Sequence, residues 1–339
     1  MNSIQDIVTR YPKNPILTRE DVPYPVATVH NAGVVKYKKR YIMLFRSHLK
    51  NGRSVIGRAD SPDGFTFKVK PEPFLTPASR GLFAEYEAFG VEDLRINPVE
   101  GAYLLTYSAY SRHGVRIALA RTCDFEKIER IALITQADLR NVVIFPEKID
   151  GRYVRLDRPH SEISPWSIWI SYSPDLIYWG DSQVVIKPLS YHWDEMKIGP
   201  GAPPFKTDEG WLHIYHGVFK TMSGTVYRLG VALHNLSDPS RVIGVSDQWI
   251  LQPEEVWEQT GYVPNVVFSC GAVPEDDGTV KLYWGGADTV MCMGTAKICD
   301  LVSLCRQSSR PPISSQTESR KDTDAEKTPW QTDNHKKTQ

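Results

Sequence analysis

Three sets of short strands, each recurring five times at intervals of about 50 to 60 residues, predict an all-β protein built as a five-bladed β-propeller around a central channel. Two further observations point the same way. Hardly any segment carries an apolar stripe at helical spacing, and the strand-like runs are bounded by Gly, Pro, Asn and Asp, the residues of turns. A pair of β-sandwiches with coincidental internal similarity is the competing architecture.

The first strand of each repeat reads "VHNAGVVKY" (29–37), "GVEDLRI" (90–96), "NVVIFPEKI" (141–149), "KIGPGAPPF" (197–205) and "PNVVFSCGAV" (264–273). A more aromatic strand follows each time: "RYIMLFRSH" (40–48), "GAYLLTYSAY" (101–110), "GRYVRLDRP" (151–159), "GWLHIYHGV" (210–218) and "KLYWGGAD" (281–288). The third set is "IGRADSPDGFTF" (56–67), "LARTCDFEKI" (119–128), "ISYSPDLIYW" (170–179), "VALHNLSDPSRV" (231–242) and "GTAKICDLV" (294–302). Each copy of this set ends in an aspartate, Asp63, Asp124, Asp175, Asp238 or Asp300, suited to accept hydrogen bonds in a turn. Residues 1–305 therefore form the propeller domain. Residues 306–339, rich in Ser, Thr, Lys and Asp and nearly free of large apolar side chains, are expected to be a disordered polar tail.

Forty basic residues balance forty acidic ones, which argues against nucleic acid or an anionic membrane as a partner held by bulk electrostatics. The chain has no stretch approaching the length of a membrane span, and its start lacks the apolar run of a signal peptide, so a soluble cytoplasmic protein is expected. Five scattered cysteines without a C-x-x-C pair suggest reduced structural thiols rather than a disulfide framework or a zinc site. No metal is expected, and no nucleotide loop, nucleophile elbow or metalloprotease motif implies another chemistry. Oligomeric state is open, a homo-oligomer included.

In a propeller the inner strands line the channel, so polar groups at equivalent places in successive blades converge even when far apart in sequence. Those groups are Asn31, Arg46, Asp93, Arg158, Lys197, His216 and Asp288. Within "FGVEDLRINP", strict strand alternation puts Asp93 and Arg95 on one face and Glu92 on the other. Carboxylates facing several cations suit cleavage of a glycosidic bond, in which an acid protonates the leaving oxygen while a nucleophile attacks from the opposite face. Water as that nucleophile needs a second carboxylate, whereas inorganic phosphate needs only a cationic cradle. The excess of Arg, Lys and His favours phosphate. Trp166, Trp169, Trp179, Trp193, Trp284 and Tyr227 could supply a sugar platform, although aromatics in β-folds are mostly core, and His192 and His213 read as structural.

The series "NPILTREDVP", "HNAGVV", "GVEDLR", "FPEKIDGRYVRLDRP", "SYSPDLIYWG", "MKIGPGAPP", "GWLHIYHGV", "YRLGVAL", "YVPNVVFSCGAV" and "WGGADT" resembles glycoside hydrolase family 130, whose members are five-bladed propellers that cleave β-mannosides with inversion. The resemblance covers nearly everything but the tail. It implies that Asp93 is the catalytic acid, which in several members relays its proton through a hydroxyl of the mannose ring. It implies that Arg158, Lys197, His216 and Tyr227 hold phosphate and that Asn31, Arg46 and Asp288 grip the sugar being transferred. The implied activity is that of an inverting β-mannoside phosphorylase, acting on β-1,2-linked manno-oligosaccharides with inorganic phosphate as co-substrate, giving α-mannose 1-phosphate without any cofactor. Two positions depart from the family: Leu94 replaces a usual proline, and Glu147 stands where some members have a phosphate-binding arginine. Glu147 could instead be the base of an inverting β-1,2-mannosidase, which is the alternative activity; a non-catalytic carbohydrate-binding propeller is the third.

Overall fold

Antiparallel pairing of consecutive strands accounts for most of the regular structure in residues 7–310, the part of the chain that the computed structural model describes. The chain is all-β, and five runs of strands follow one another. The first comprises Thr28–Tyr37, Arg40–His48, Ser54–Ser61 and Lys68–Val69. The second comprises Gly90–Val99, Ala102–Ser111, Gly114–Thr122 and Glu129–Leu133, and a parallel bridge from Ser54 to Gly90 joins these two runs into one eight-stranded sheet. The third is Leu139–Ile144, Tyr153–Pro159, Ile168–Ser173 and Gly180–Ile186. The fourth is Lys197–Pro200, Gly210–Thr221, Gly224–His234 and Val242–Val245, with Phe205–Thr207 added beside its second strand.

The fifth run, Val267–Pro274, Thr279–Gly286 and Val290–Lys297, takes its fourth strand from the other end of the chain. There Thr9–Arg10 pairs antiparallel with Val290–Lys297, Thr9 opposite Thr295. Arg10 fixes this union by donating from Nε and Nη2 to the buried carboxylate of Glu258 at 3.2 and 2.9 Å.

Turn chemistry explains why the strands stop where they do. Glu100 and Gly101 (φ 50° and 79°), like Asp150 and Gly151 (φ 50° and 73°), occupy the left-handed region as a type I′ hairpin demands. The predicted aspartate turns are present in three nearly identical copies. Asp63 accepts from the backbone N–H groups of Phe65 and Thr66, Asp124 from Glu126 and Lys127, and Asp175 from Ile177 and Tyr178, all at 2.8–3.0 Å. In each, the hydroxyl two residues earlier (Ser61, Thr122 or Ser173) accepts a further N–H, so the local unit is Ser/Thr-x-Asp. The fourth copy is a variant in which Asn235 and Asp238 share the task. Asp300 departs from the expectation. It lies in the first turn of a helix, Ile298–Arg306, which buries Leu301, Val302 and Cys305.

Apolar side chains gather in clusters that each lie between two runs. One joins the first and second runs (Leu44, Ile56, Leu94, Leu105), another the second and third (Leu104, Leu119, Ile144). Others join the third and fourth (Phe145, Ile170, Trp211) and the fourth and fifth (Leu212, Val231, Leu282, Trp284). A fifth cluster joins the last run to the first through Tyr283, Met293, Met43 and Phe45. At about 1.5–3 kcal/mol for each large apolar side chain buried, these interfaces hold the runs against one another.

All five cysteines are free. Among the described residues no helix is long and apolar enough to cross a membrane, and no cluster of His, Cys, Asp and Glu could hold a metal ion. The predicted tail begins differently from expectation: Arg306 completes the last helix, and residues 307–310 pack on the body, with Arg310 buried. Residues 311–339 lie outside the described part of the chain.

Candidate active site

The first strands of three successive runs share a bulge, where the pairing register slips between His30 and Gly33, between Glu92 and Arg95, and between Arg140 and Val143. At each bulge sits a residue in the left-handed region, Asn31 (φ 50°), Asp93 (φ 50°) and Asn141 (φ 62°). Asn and Asp are the side-chain-bearing residues that tolerate this conformation best. A bulge also re-aims side chains, and here it overturns the alternation expected for "GVEDLR". Glu92 and Asp93 do not face opposite ways; both reach one guanidinium. Arg46 donates from Nη2 to Glu92 Oε1 at 2.7 Å and from Nη1 to Asp93 Oδ1 at 3.1 Å.

Asn31 Nδ2 adds a hydrogen bond to the same Asp93 oxygen at 3.0 Å. Ser54 Oγ accepts from Arg46 Nε at 3.0 Å and donates to Glu92 Oε1 at 3.1 Å, which fixes both partners. Arg95, expected beside the Asp93 carboxylate, donates instead to the Asp93 backbone carbonyl at 2.6 Å. It also donates to Asn141 Oδ1 at 3.2 Å and the Gly201 carbonyl at 3.3 Å, tying the second run to the third and fourth.

Burial opposes ionisation of Asp93, but the charges of Arg46 and Arg95 and the amide of Asn31 outweigh it and hold the carboxyl well below the usual carboxylate range. Asp288 goes the other way. Burial, reinforced by the Asp93 charge, pushes it up to about 7. The two carboxyl groups are therefore pushed apart, Asp93 toward its ionised form and Asp288 toward its protonated one.

The second group of predicted residues assembles on the third and fourth runs. Arg158 Nη1 lies 3.0 Å from His216 Nε2, and the His216 ring stacks on Tyr227 at 6.2 Å. Lys197 Nζ sits over the rings of Trp166 and Tyr227, 4.8 and 5.3 Å from their centroids, and Arg158 lies 5.3 Å from the Trp166 ring. Burial lowers Lys197 to about 8, helped by Arg158 and Arg140, and lowers Arg158 to about 10. Burial and then Arg158 keep His216 far below its ordinary range, so its imidazole is neutral and Nε2 can accept from Arg158. Among the described residues neither Arg158 nor Lys197 is paired with a carboxylate, and His216 Nδ1 is buried without a hydrogen-bond partner. Gly199 allows His216 and Asn141 to crowd its backbone: a Cβ there would lie 2.7 Å from His216 and 2.9 Å from Asn141.

Asn31, Arg46, Asp93 and Asp288 thus form one cluster and Arg158, Lys197, His216 and Tyr227 an adjoining one. Glu147 belongs to neither. Its carboxylate pairs with Lys206 at 2.8 Å with half of its side chain exposed, and it borders an outer groove with Tyr172 and Asp238. Among the described residues no hydrogen bond or ion pair joins Glu147 to a member of either cluster. Sequence reasoning missed Asn141, Glu92 and Arg140, the last reaching within 3.9 Å of Glu92. Asn141 had a signal, since it occupies the place of Asn31 and Asp93 in its own strand.

These clusters can be set beside known proteins. A 1,2-β-oligomannan phosphorylase from Thermoanaerobacter sp. is 35% identical over 285 residues, covering 81% of this chain and 92% of the relative. A β-1,2-mannobiose phosphorylase from Listeria innocua serovar 6a is 39% identical over 250 residues, covering 74% of this chain and 68% of the relative. The structure of a Listeria innocua β-1,2-mannobiose phosphorylase in complex with β-1,2-mannobiose superposes with a TM-score of 0.82 at 32% identity, covering 91% of this chain and all of that one. A family model described as β-1,4-mannooligosaccharide phosphorylase matches residues 3–307, a span that takes in every residue of both clusters, and the chain belongs to glycoside hydrolase family 130.

Proposed function

We propose that this protein is an inverting β-mannoside phosphorylase that transfers mannose from β-1,2-linked manno-oligosaccharides to inorganic phosphate. The observation that carries this reading is the cationic cluster of Arg158 and Lys197, neither of them paired with a carboxylate among the described residues, with the neutral His216 ring against Arg158 and the carboxylate of Asp93 adjoining. Cations buried without counter-ions are costly, and an anion of phosphate size relieves that cost. Glu147, the base that a hydrolase reading assigns, is instead paired with Lys206 and half exposed.

In this mechanism a phosphate oxygen attacks the anomeric carbon from the side of Arg158 and Lys197. The bond to the leaving oxygen breaks on the side of Asp93, its electron pair stays on that oxygen, and a proton from Asp93 arrives directly or through a mannose hydroxyl. Phosphate is already anionic and needs no base. Arg46 and Asn31 hold Asp93 in place, and with Asp288 they grip the sugar. Arg46, Arg95 and Asn31 stabilise the ionised form of Asp93, and the negative charge of a bound phosphate works against that stabilisation.

We further infer that the five runs are the blades of a five-bladed propeller and that both clusters sit in its axial pocket. Support comes from the apolar clusters between consecutive runs, including last and first, and from the aspartate turn recurring at equivalent places.

The test is incubation with β-1,2-mannobiose and longer oligomers, with and without inorganic phosphate, followed by phosphorus NMR. α-Mannose 1-phosphate formed only when phosphate is present is the expected result. Mannose released at the same rate without phosphate overturns the reading in favour of the hydrolase.

A further inference from the structure

The loop 187–196 connects the third run to the fourth and ends at Lys197, the first residue of the strand Lys197–Pro200. Both of its feet are held by one guanidinium from the far end of the chain. Arg310 donates from Nη2 to the Lys187 carbonyl and from Nη1 to Asp194 Oδ2 at 2.8 Å. The segment that brings Arg310 there is itself anchored, since Ser308 Oγ and Ser309 N donate to the Asp247 carboxylate at 2.9 Å each. Trp193 Nε1 reaches the Asp247 carbonyl at 3.1 Å, so the loop and its strap meet the same residue.

Asp194 is fully buried, and its other contacts point toward the phosphate end of the site. Its Oδ2 also accepts from Tyr215 O–H at 3.2 Å, and Tyr215 precedes His216 on its strand. Trp193 stacks on Tyr215 with ring centroids 5.7 Å apart. Gly217 and Gly230 have no side chain where Trp193 lies, which permits that close packing. Three residues past Asp194, Lys197 enters its strand with the flanking N–H of Met196 bound to the Val218 carbonyl and that of Ile198 to the Trp166 carbonyl.

We propose that Arg310 is a positioning residue for phosphate binding, acting through loop 187–196 to set where the Lys197 ammonium and the His216 ring stand. This rests on the reading of that end of the site as a phosphate cradle. Without the guanidinium, the Lys187 carbonyl loses its donor and the buried Asp194 carboxylate keeps only the His192 ring, at 2.9 Å from Oδ1, and the Tyr215 hydroxyl, so the loop relaxes toward water. A small shift in a charged contact is enough to lower affinity for the anion it holds.

The experiment uses the full chain carrying Arg310→Gln or Arg310→Lys, with two readouts. In steady-state kinetics the KM for phosphate rises roughly three- to tenfold in Arg310→Gln while the KM for the mannoside stays within about twofold. Arg310→Lys recovers part of the loss, because an ammonium can pair with Asp194 but cannot span to the Lys187 carbonyl as well. The second readout is the pH dependence of Lys197 acetylation by acetic anhydride, followed by peptide mass spectrometry without substrate. Its midpoint moves upward from about 8 in Arg310→Gln, as the loosened loop admits water to the ammonium. An equal rise in both KM values, or an unchanged Lys197 labelling profile beside a lower melting temperature, overturns the inference. Should Arg310→Gln fail to fold, Asp247→Asn weakens the strap from outside, and the same labelling shift is expected; its absence is equally decisive against the proposal. Turnover by the unaltered protein that ignores phosphate sinks the phosphorylase reading alone, and the labelling experiment then still decides the role of Arg310.

Discussion

Around Asp93 the carboxylate is already held by partners, with Arg46 shared between it and Glu92 and the amide of Asn31 completing the set, whereas around Lys197 the cations rest on aromatic rings and on a neutral imidazole. The first arrangement has its hydrogen bonds in place before any ligand arrives. The second is electrostatically incomplete: burial, and then the neighbouring cations, lower the proton affinities of Lys197 and Arg158. The contrast separates two tasks. A paired carboxylate in a fixed place can manage a proton and hold sugar hydroxyls, while an unpaired cationic surface selects an anion and changes state when it binds.

The largest effect expected from breaking this contrast is on the paired side. Asp93→Asn should lower kcat by roughly 10²–10⁴-fold, the usual worth of a general acid, in both reaction directions. Because Asn tolerates the left-handed backbone at this position, the melting temperature should stay close to that of the parent, and a large drop would assign Asp93 a mainly structural role.

On the unpaired side, Lys197→Ala should raise the KM for phosphate roughly 10- to 100-fold, corresponding to about 1.5–3 kcal/mol for a charge-assisted contact, with little change in mannoside KM. Equal effects on both substrates would erase the division between the halves. A subtler signature is pH. Lys197 is an ammonium below its pKa of about 8, so kcat/KM for phosphate should fall as pH rises through about 8. Bound phosphate favours the ammonium, so the corresponding limb in kcat should lie at higher pH. Coincident limbs would show that Lys197 does not touch the anion.

Least of all should change at Glu147. Its partner Lys206 is 53% exposed, an exposed ion pair is worth at most about 1 kcal/mol, and Glu147→Gln should leave kcat within about twofold. A collapse of turnover, restored by azide, would return Glu147 to the role of base.

What could be read from the sequence followed how local each feature is. The Ser/Thr-x-Asp turn is legible because Ser61 and Asp63, Thr122 and Asp124, and Ser173 and Asp175 complete it within a few residues of themselves. The membership of the two clusters was legible once strands were aligned by repeat. The bulges were not, since an extra residue leaves no mark in the apolar pattern, and so Glu92 was assigned to the wrong face. Glu147 misled for a related reason: Asn141 and Glu147 belong to one stretch of chain, and nothing in "NVVIFPEKI" says which end meets the other strands. Asp300 fits the repeat by eye, yet apolar residues at 301, 302 and 305 make a helix face that overrides the turn.

The three left-handed bulges also bear on how such a site could change over generations. Positions 31, 93 and 141 hold Asn, Asp and Asn in one backbone conformation. The codons for Asn and Asp differ by a single nucleotide, and neither residue strains that conformation more than the other. The first strands of three runs therefore offer three sockets in which an acid can be installed or removed by one point mutation without refolding, so that the proposed proton donor's place among them is a matter of genetic history as much as of architecture.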